Sequence, residues 1–119
     1  MLTTFISGRD AKLVKAMIFL ARRADLPREA FRDWWLGPHR ALAERLPGLR
    51  RHAFNLLEGD PHDAVVEQWF DSEESMTACY ETSAGKAVIA DSAAHTSNRK
   101  RVVVEEFAFD VPADSTGRK

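Results

Sequence analysis

The stretch FRDWWLGPHRA, residues 31–41, holds the clearest candidate for acid–base chemistry in this sequence. His39 follows Trp35 by four residues, and on a helix this spacing puts both side chains on the face that meets a sheet. A neutral imidazole can both take and give a proton near neutral pH. Because proline lacks a backbone N–H, we expect a kink near Gly37 and Pro38 that opens a cavity between helix and sheet. His39 is therefore a candidate catalytic residue; the alternative is a structural histidine bonded to a backbone carbonyl.

Three other histidines are weaker candidates. His52 alternates with apolar residues along a predicted strand, which places it either in an interior, as a second catalytic candidate, or at an exposed edge. His62 lies among turn-forming residues and is expected in solvent. His95 follows a helical segment near Asp91, which could orient the imidazole as part of a substrate site; a surface position is the alternative. The histidines lack the H-x-x-x-H spacing of metal ligands, so no metal site is predicted.

Two carboxylates and one phenol complete the polar candidates. Glu67 and Glu106 stand among apolar strand residues, where a carboxylate is paired, exposed at a sheet edge, or functional with a raised pKa. Both are candidate substrate-binding residues. Tyr80 either packs in the core or donates a hydrogen bond to a substrate carbonyl, as a third catalytic candidate. The run NRKR, residues 98–101, predicts a solvated turn.

The elements that must position these side chains follow in the order β-α-β-β-α-β. Periodicity and β-branched content predict strands at residues 13–21, 49–59, 64–71 and 101–109. A first helix should begin near Asp25 and end near Leu46. A second should begin at the capping pattern that starts with Asp71, break at Gly85 and resume over residues 86–94. This order predicts an α+β, ferredoxin-like fold with both helices on one face of a four-stranded antiparallel sheet.

Length and composition bound the remaining possibilities. The 119 residues predict one domain at 14–110 between an N-terminal arm at 1–13 and a flexible tail at 111–119. Seventeen basic and eighteen acidic residues give a net charge of −1, so neither nucleic acid nor an anionic membrane is expected as a partner. No apolar run reaches the roughly 18 residues of a membrane span, and no signal peptide pattern is present. With a single cysteine, this favours a cytoplasmic protein.

Both faces of the predicted sheet are largely apolar, and two helices can cover only one of them. We therefore expect a homodimer through the sheet faces. Neighbouring residues on a helix point about 100° apart, so the adjacent tryptophans cannot share one core. We expect Trp35 to join Phe31 in the core and Trp34 to lie at an edge, against a partner subunit or a ligand. These three aromatic residues and Trp69 are candidate substrate-binding residues.

The segment FRDWWLGPHRA resembles the F-x-x-(aromatic)-W-x-x-x-H-(small) signature of the EthD domain family, within the dimeric α+β barrel superfamily. The segments PGLRRHAFN, EQWFDSEESM, SAGKAVIADSA and VVVEEFAF are also similar to EthD-type sequences, so the resemblance covers roughly residues 14–109. One departure is AAHTSN, residues 93–98, where His95 and Thr96 stand in place of the usual aromatic residue. The resemblance implies a dimeric α+β barrel that uses no metal or organic cofactor.

The resemblance also implies a function. It suggests a cofactor-free enzyme of catabolic or secondary metabolism that dehydrates, decarboxylates or isomerises a small, apolar, carbonyl-bearing or aromatic molecule. His39, together with Tyr80 or His52, would move the protons. The alternatives are a cofactor-independent monooxygenase of phenols, a non-catalytic accessory protein that binds a hydrophobic metabolite, and haem degradation.

Overall fold

Four antiparallel strands form one sheet, and the helices pack on one of its faces in this computed structural model, which describes residues 13–58 and 61–113. In chain order the elements are β1 (Val14–Arg22), α1 (Arg28–Trp34), a π-helical segment (Trp35–His39), α2 (Arg40–Ala43), β2 (Arg51–Leu56), β3 (Ala64–Phe70), α3 (Glu73–Tyr80), α4 (Ser83–His95) and β4 (Thr96–Val104). The strand order is β2-β3-β1-β4. The predicted α+β, ferredoxin-like architecture is confirmed. Most of the predicted arm and most of the predicted tail lie outside the described residues.

The core lies between the sheet and the helices. Along β1, Ala16, Ile18 and Leu20 turn towards the helices and are almost fully buried, because successive side chains of a strand point to opposite faces. Strand β3 pairs with β1 and shows the same alternation: Val66 lies opposite Ile18 and also belongs to the core. Within the described residues, no helix combines the length and the apolar character needed to cross a bilayer.

The helices begin and end where local capping and tertiary packing allow. The first helical region starts at Arg28 rather than near Asp25. Ser72, not Asp71, caps α3, since its side chain accepts a hydrogen bond from the N–H of Ser75 at 3.0 Å. The predicted break at Gly85 is displaced: Thr82 caps α4, and Gly85 lies inside that helix.

The kink predicted at Pro38 takes the form of the π-helical segment. Proline has no N–H to donate to the carbonyl of Trp34, so the regular hydrogen-bond ladder fails there. The N–H of Arg40 reaches back instead to the carbonyl of Trp35, which is the π-helical pattern. The side chain of Arg40 donates from Nε to the Leu36 carbonyl at 2.8 Å, which replaces the helical donor that this carbonyl has lost. The chain therefore remains helical through Pro38.

Strand β4 begins earlier than predicted. We predicted a strand over 101–109 and a solvated turn over 98–101, but β4 follows α4 without a loop and ends at Val104. Pairing with β1 decides this, since the ladder runs from Arg22 opposite Thr96 to Lys15 opposite Val104. As a consequence, Arg99 lies opposite Leu20 and shares the face of the sheet that the helices cover.

Candidate functional site

His39 and Asp91 form a hydrogen-bonded pair between the π-helical segment and α4. Nδ1 of His39 lies 2.9 Å from Oδ2 of Asp91. An ionised carboxylate only accepts hydrogen bonds, so Nδ1 carries the proton and Nε2 keeps its lone pair. Among the described residues, none forms a hydrogen bond with Nε2 of His39. The pair thus holds one tautomer of the imidazole and leaves a basic nitrogen free.

His39 lines a small cavity between the helices and the sheet. The cavity has a volume of about 10 Å³, which is room for a single water molecule. Its walls are mainly apolar, formed by Ile18, Leu20, Ala43, Phe54, Val66 and Val88. The polar side chains that line it are those of His39, Gln68, Tyr80, Ser92 and Arg99. Small-molecule sites usually measure about 300–1,000 Å³, so a ligand can enter only if side chains move.

Burial beside the cavity favours the neutral form of His39. Burial lowers the pKa of His39 below its ordinary value of 6.5, although the hydrogen bond to Asp91 acts in the opposite direction. The positive charge of Arg99 lowers the pKa further. The imidazole is therefore unprotonated near neutral pH and is available as a base.

Tyr80 supplies a hydrogen-bond donor at the same cavity. Its hydroxyl donates to Oε1 of Gln68 at 2.7 Å. Burial raises the pKa of Tyr80, so the phenol stays protonated near neutral pH. A substrate oxygen that displaced the Gln68 amide would therefore meet an O–H donor.

Asp91 also holds Trp34 in place. The Trp34 indole Nε1 donates to Oδ2 of Asp91 at 3.0 Å, and its ring stacks on His95 with centroids 4.1 Å apart. Trp34 is only 9% exposed, so the prediction that it lies at an edge is wrong: α4 covers it. Nδ1 of His95 lies 2.8 Å from the backbone carbonyl of Asp91. Oδ1 of Asp91 lies 3.6 Å from the same nitrogen, so of the two alternatives for His95 the pairing with Asp91 is the one found. Oδ2 of the same carboxylate accepts from His39 and Trp34.

A family model described as the EthD domain matches residues 23–98, more than half of the chain. This chain belongs to the EthD domain family. The match spans the π-helical segment, the His39–Asp91 pair and the first residues of β4. No functionally curated protein matches this EthD domain in sequence.

Solved structures show the same fold. An EthD family protein from Bacillus halodurans is 24% identical with a TM-score of 0.70, over 80% of this chain and 99% of that one. A dimeric ferredoxin-like protein of unknown function from Bacteroides fragilis is 17% identical with a TM-score of 0.65, over 80% and 97%. SnoaB, a cofactor-independent oxygenase from Streptomyces nogalater, is 14% identical with a TM-score of 0.62, over 83% and 97%. At these identities, the likeness supports the fold.

Several predicted site residues of this EthD domain lie on the helix-covered side without lining the cavity. Phe31 and Trp35 are core residues. His52 lies edge-on to the ring of Phe54, and its Nε2 lies 3.3 Å from Oε2 of Glu44.

His62, expected in solvent, is half-buried against Phe19. In the described part of the chain, no group of three or more His, Cys, Asp or Glu side chains is arranged to hold a metal ion.

Glu67, Trp69 and Glu106 lie on the opposite face of the sheet. Lys15 Nζ lies 2.8 Å from Oε2 of Glu67 and 3.1 Å from Oε2 of Glu106. The indole of Trp69 donates to Oε1 of Glu106 at 3.1 Å. These hydrogen bonds, that of Trp69 above all, lower the pKa of Glu106. Both carboxylates are therefore paired, which is one of the alternatives predicted for them. The sheet separates this cluster from His39.

Proposed function

We propose that this EthD domain is a cofactor-free acid–base enzyme acting on a small, apolar, carbonyl-bearing or aromatic molecule. The observation that carries the proposal is the 2.9 Å contact between Nδ1 of His39 and Asp91, which leaves the Nε2 lone pair free on a residue that lines a mainly apolar cavity. Dehydration, decarboxylation and lactone isomerisation all involve proton transfer next to a carbonyl group. A neutral, oriented imidazole suits each of these reactions.

In a dehydration or an isomerisation, Nε2 of His39 accepts a proton from the carbon next to the carbonyl group. The Asp91 carboxylate stabilises the imidazolium that forms, as in other His–Asp pairs. Negative charge develops on the carbonyl oxygen, where the Tyr80 hydroxyl donates a hydrogen bond. The imidazolium then returns the proton, either to another carbon or to a departing hydroxyl group, and His39 is neutral again. In a decarboxylation the bond to the carboxylate carbon breaks instead, CO₂ leaves, and the enolate carbon takes a proton from water.

Substrate entry requires movement at the edge of the sheet. Arg99 lines the cavity, is only half-buried and stands on β4, an edge strand. Its side chain can swing towards solvent with less loss of packing than the buried aliphatic walls would suffer. We therefore place the entrance beside Arg99 and Tyr80.

We also propose that the uncovered sheet face forms a homodimer, which would complete a dimeric α+β barrel. On that face Met17 and Val102 pair with each other and are half-buried. In the segment that follows β4, Phe107, Phe109 and Val111 are 71%, 82% and 77% exposed. Apolar side chains exposed in a row are typical of a protein–protein interface. The Bacteroides fragilis protein with this fold is dimeric, which supports the same arrangement here.

A cofactor-independent oxygenase is the second candidate, because the chain shares its fold with SnoaB. In that chemistry, Nε2 of His39 would deprotonate a phenol, and the electron-rich phenolate would react with O₂. Oxygen uptake in the presence of a quinol separates the two candidates. A binding protein without catalysis would retain ligands and release no product.

A proton-exchange assay tests the leading proposal. Wild-type protein and His39→Ala are incubated in D₂O with lactones, β-hydroxy ketones and β-keto acids, and NMR follows deuterium incorporation and product formation. We expect at least one compound to react and the rate to fall about 10²-fold or more in His39→Ala. His52→Ala is the matched control, since His52 does not line the cavity. Equal rates in wild type and His39→Ala would remove His39 from the mechanism. If none of the compounds exchanges a proton or forms a product, a binding protein is favoured.

A further inference from the structure

Arg99 places a positive charge at the wall of the cavity that His39 and Tyr80 also line. Its guanidinium carbon lies 5.9 Å from the centroid of the Tyr80 ring. Within residues 13–58 and 61–113, Arg99 forms no ion pair with an aspartate or glutamate. Other arginines of the chain do form such pairs, namely Arg22, Arg23, Arg28, Arg40 and Arg50.

Withdrawing a guanidinium partly from water without a counter-charge costs free energy. Burial is the main influence on the pKa of Arg99 and lowers it, which shows that its surroundings solvate the charge poorly. Arginine nevertheless remains protonated near neutral pH. Tyr80 offers a neutral contact and so leaves the positive charge uncompensated. An anion held at the cavity would relieve this cost.

Arg101, two residues further along β4, does not occupy an equivalent position. Its guanidinium carbon lies 5.1 Å from the Tyr80 centroid, but the residue is exposed and does not line the cavity. Water screens a charge of that kind. The cation that can hold a ligand inside the site is therefore Arg99.

We propose that Arg99 binds the carboxylate of a substrate whose apolar body occupies the cavity beside His39 once side chains have moved to enlarge it. The inference rests on the proposed function and narrows its substrate class to small organic acids. The planar guanidinium matches a carboxylate with two parallel hydrogen bonds. Since Arg99 lies opposite Leu20, the body of the acid would lie across the apolar wall towards His39. Arg99 would thus set which carbon faces Nε2.

Binding of benzoate and of benzamide, its uncharged isostere, tests the inference. Each compound is titrated into the full-length ¹⁵N-labelled protein, and affinities are taken from amide shifts of cavity residues. We expect wild type to prefer benzoate by about tenfold or more, and Arg99→Gln to lose that preference. Arg99→Lys should keep part of it, because it retains the charge without the planar fork. Lys86→Gln is the charge-matched control, since Lys86 is exposed on α4 and outside the cavity.

Each outcome bears on the inference. Equal affinity for both compounds, no benzoate binding by wild type, or a benzoate preference that survives Arg99→Gln would overturn it. If Arg99→Gln fails to fold, Arg99→Lys decides: an undiminished preference overturns the inference, and a reduced one supports it. Arg99-dependent benzoate binding by a protein that exchanges no substrate proton would overturn the proposed enzyme but leave the inference standing. Turnover of uncharged compounds by a protein that shows no preference for benzoate would support the proposed enzyme and overturn the inference.

Discussion

Asp91 accepts a hydrogen bond from Nδ1 of His39 at 2.9 Å, although the two residues lie 52 positions apart in the chain. The same carboxylate oxygen accepts from the indole of Trp34 at 3.0 Å. One side chain of α4 therefore fixes both the tautomer of His39 and the ring that packs beside it. The contact joins the helix that carries the base to the helix that closes the cavity.

Replacing Asp91 by asparagine should release the tautomer of His39. An amide can accept through its oxygen or donate through its nitrogen, so either ring nitrogen can then carry the proton. ¹⁵N NMR should show Nδ1 protonated in wild type and a mixture of tautomers in Asp91→Asn, with turnover reduced about 10²-fold or more. Trp34→Phe is the control, because it removes the other donor to Asp91 and leaves the carboxylate in place. An unchanged tautomer in Asp91→Asn would contradict the assignment.

The pH dependence should reflect the depressed pKa of His39. Since the base is the neutral form, the rate should rise with pH through this pKa and be level above 6.5. Between the folded pKa and 6.5, the unfolded chain binds the proton more readily than the folded one. Stability from neutral His39 is therefore fully present above 6.5 and is lost as the pH falls through the folded pKa.

Urea unfolding of wild type and His39→Asn, at pH values above and below 6.5, checks this sign. The difference between the two proteins isolates His39 from the other histidines. Wild type should lose its advantage over the variant on the acid side. A wild-type advantage that grows as the pH falls would mean that the folded state favours protonated His39.

Gly85 should be intolerant of a side chain, whereas Gly37 should tolerate one. A Cβ at Gly85 would lie 2.5 Å from the Cα of Tyr80 and overlap the carbonyl oxygen of Cys79, both of which are backbone atoms. Gly85→Ala should lower the free energy of unfolding by about 1–3 kcal/mol, because α3 and α4 must separate. At Gly37 nothing lies within 4 Å of such a Cβ, so alanine should be neutral or add about 0.5–1 kcal/mol. If denaturant titrations show equal effects for the two substitutions, the close approach of α3 to Gly85 is contradicted.

A charge on the uncovered sheet face should dissociate the proposed dimer. Val102 pairs with Met17 on that face, whereas Val103 pairs with Ala16, points to the helix side and is 47% exposed. Val102→Asp would bury an unpaired carboxylate between two sheets, at a cost of several kcal/mol. Light scattering should report a dimer for wild type and for the control Val103→Asp, and a monomer for Val102→Asp. A monomeric wild type would refute the dimer.

Local sequence patterns determined the elements and which face most residues occupy. Alternation in β1 and β3 and the four-residue step from Trp35 to His39 depend on neighbours along the chain, so the ferredoxin-like order and the inward-facing histidine were predictable. An irregularity at Pro38 was also predictable, because the missing N–H is a property of the residue itself, whereas its π-helical form was not predicted. The boundaries of the arm and tail and the cytoplasmic location stay predictions.

Tertiary structure alone decided what the site contains. Trp34 is buried because α4 crosses it, and β4 starts at Thr96 because β1 supplies the pairing partners. Arg99, assigned to a solvated turn from its neighbours, reaches the cavity through that pairing, and Asp91 reaches His39 across two helices. Contacts between residues far apart in sequence leave no local periodic pattern. A single sequence therefore indicated the base but neither the carboxylate that orients it nor the cation beside it.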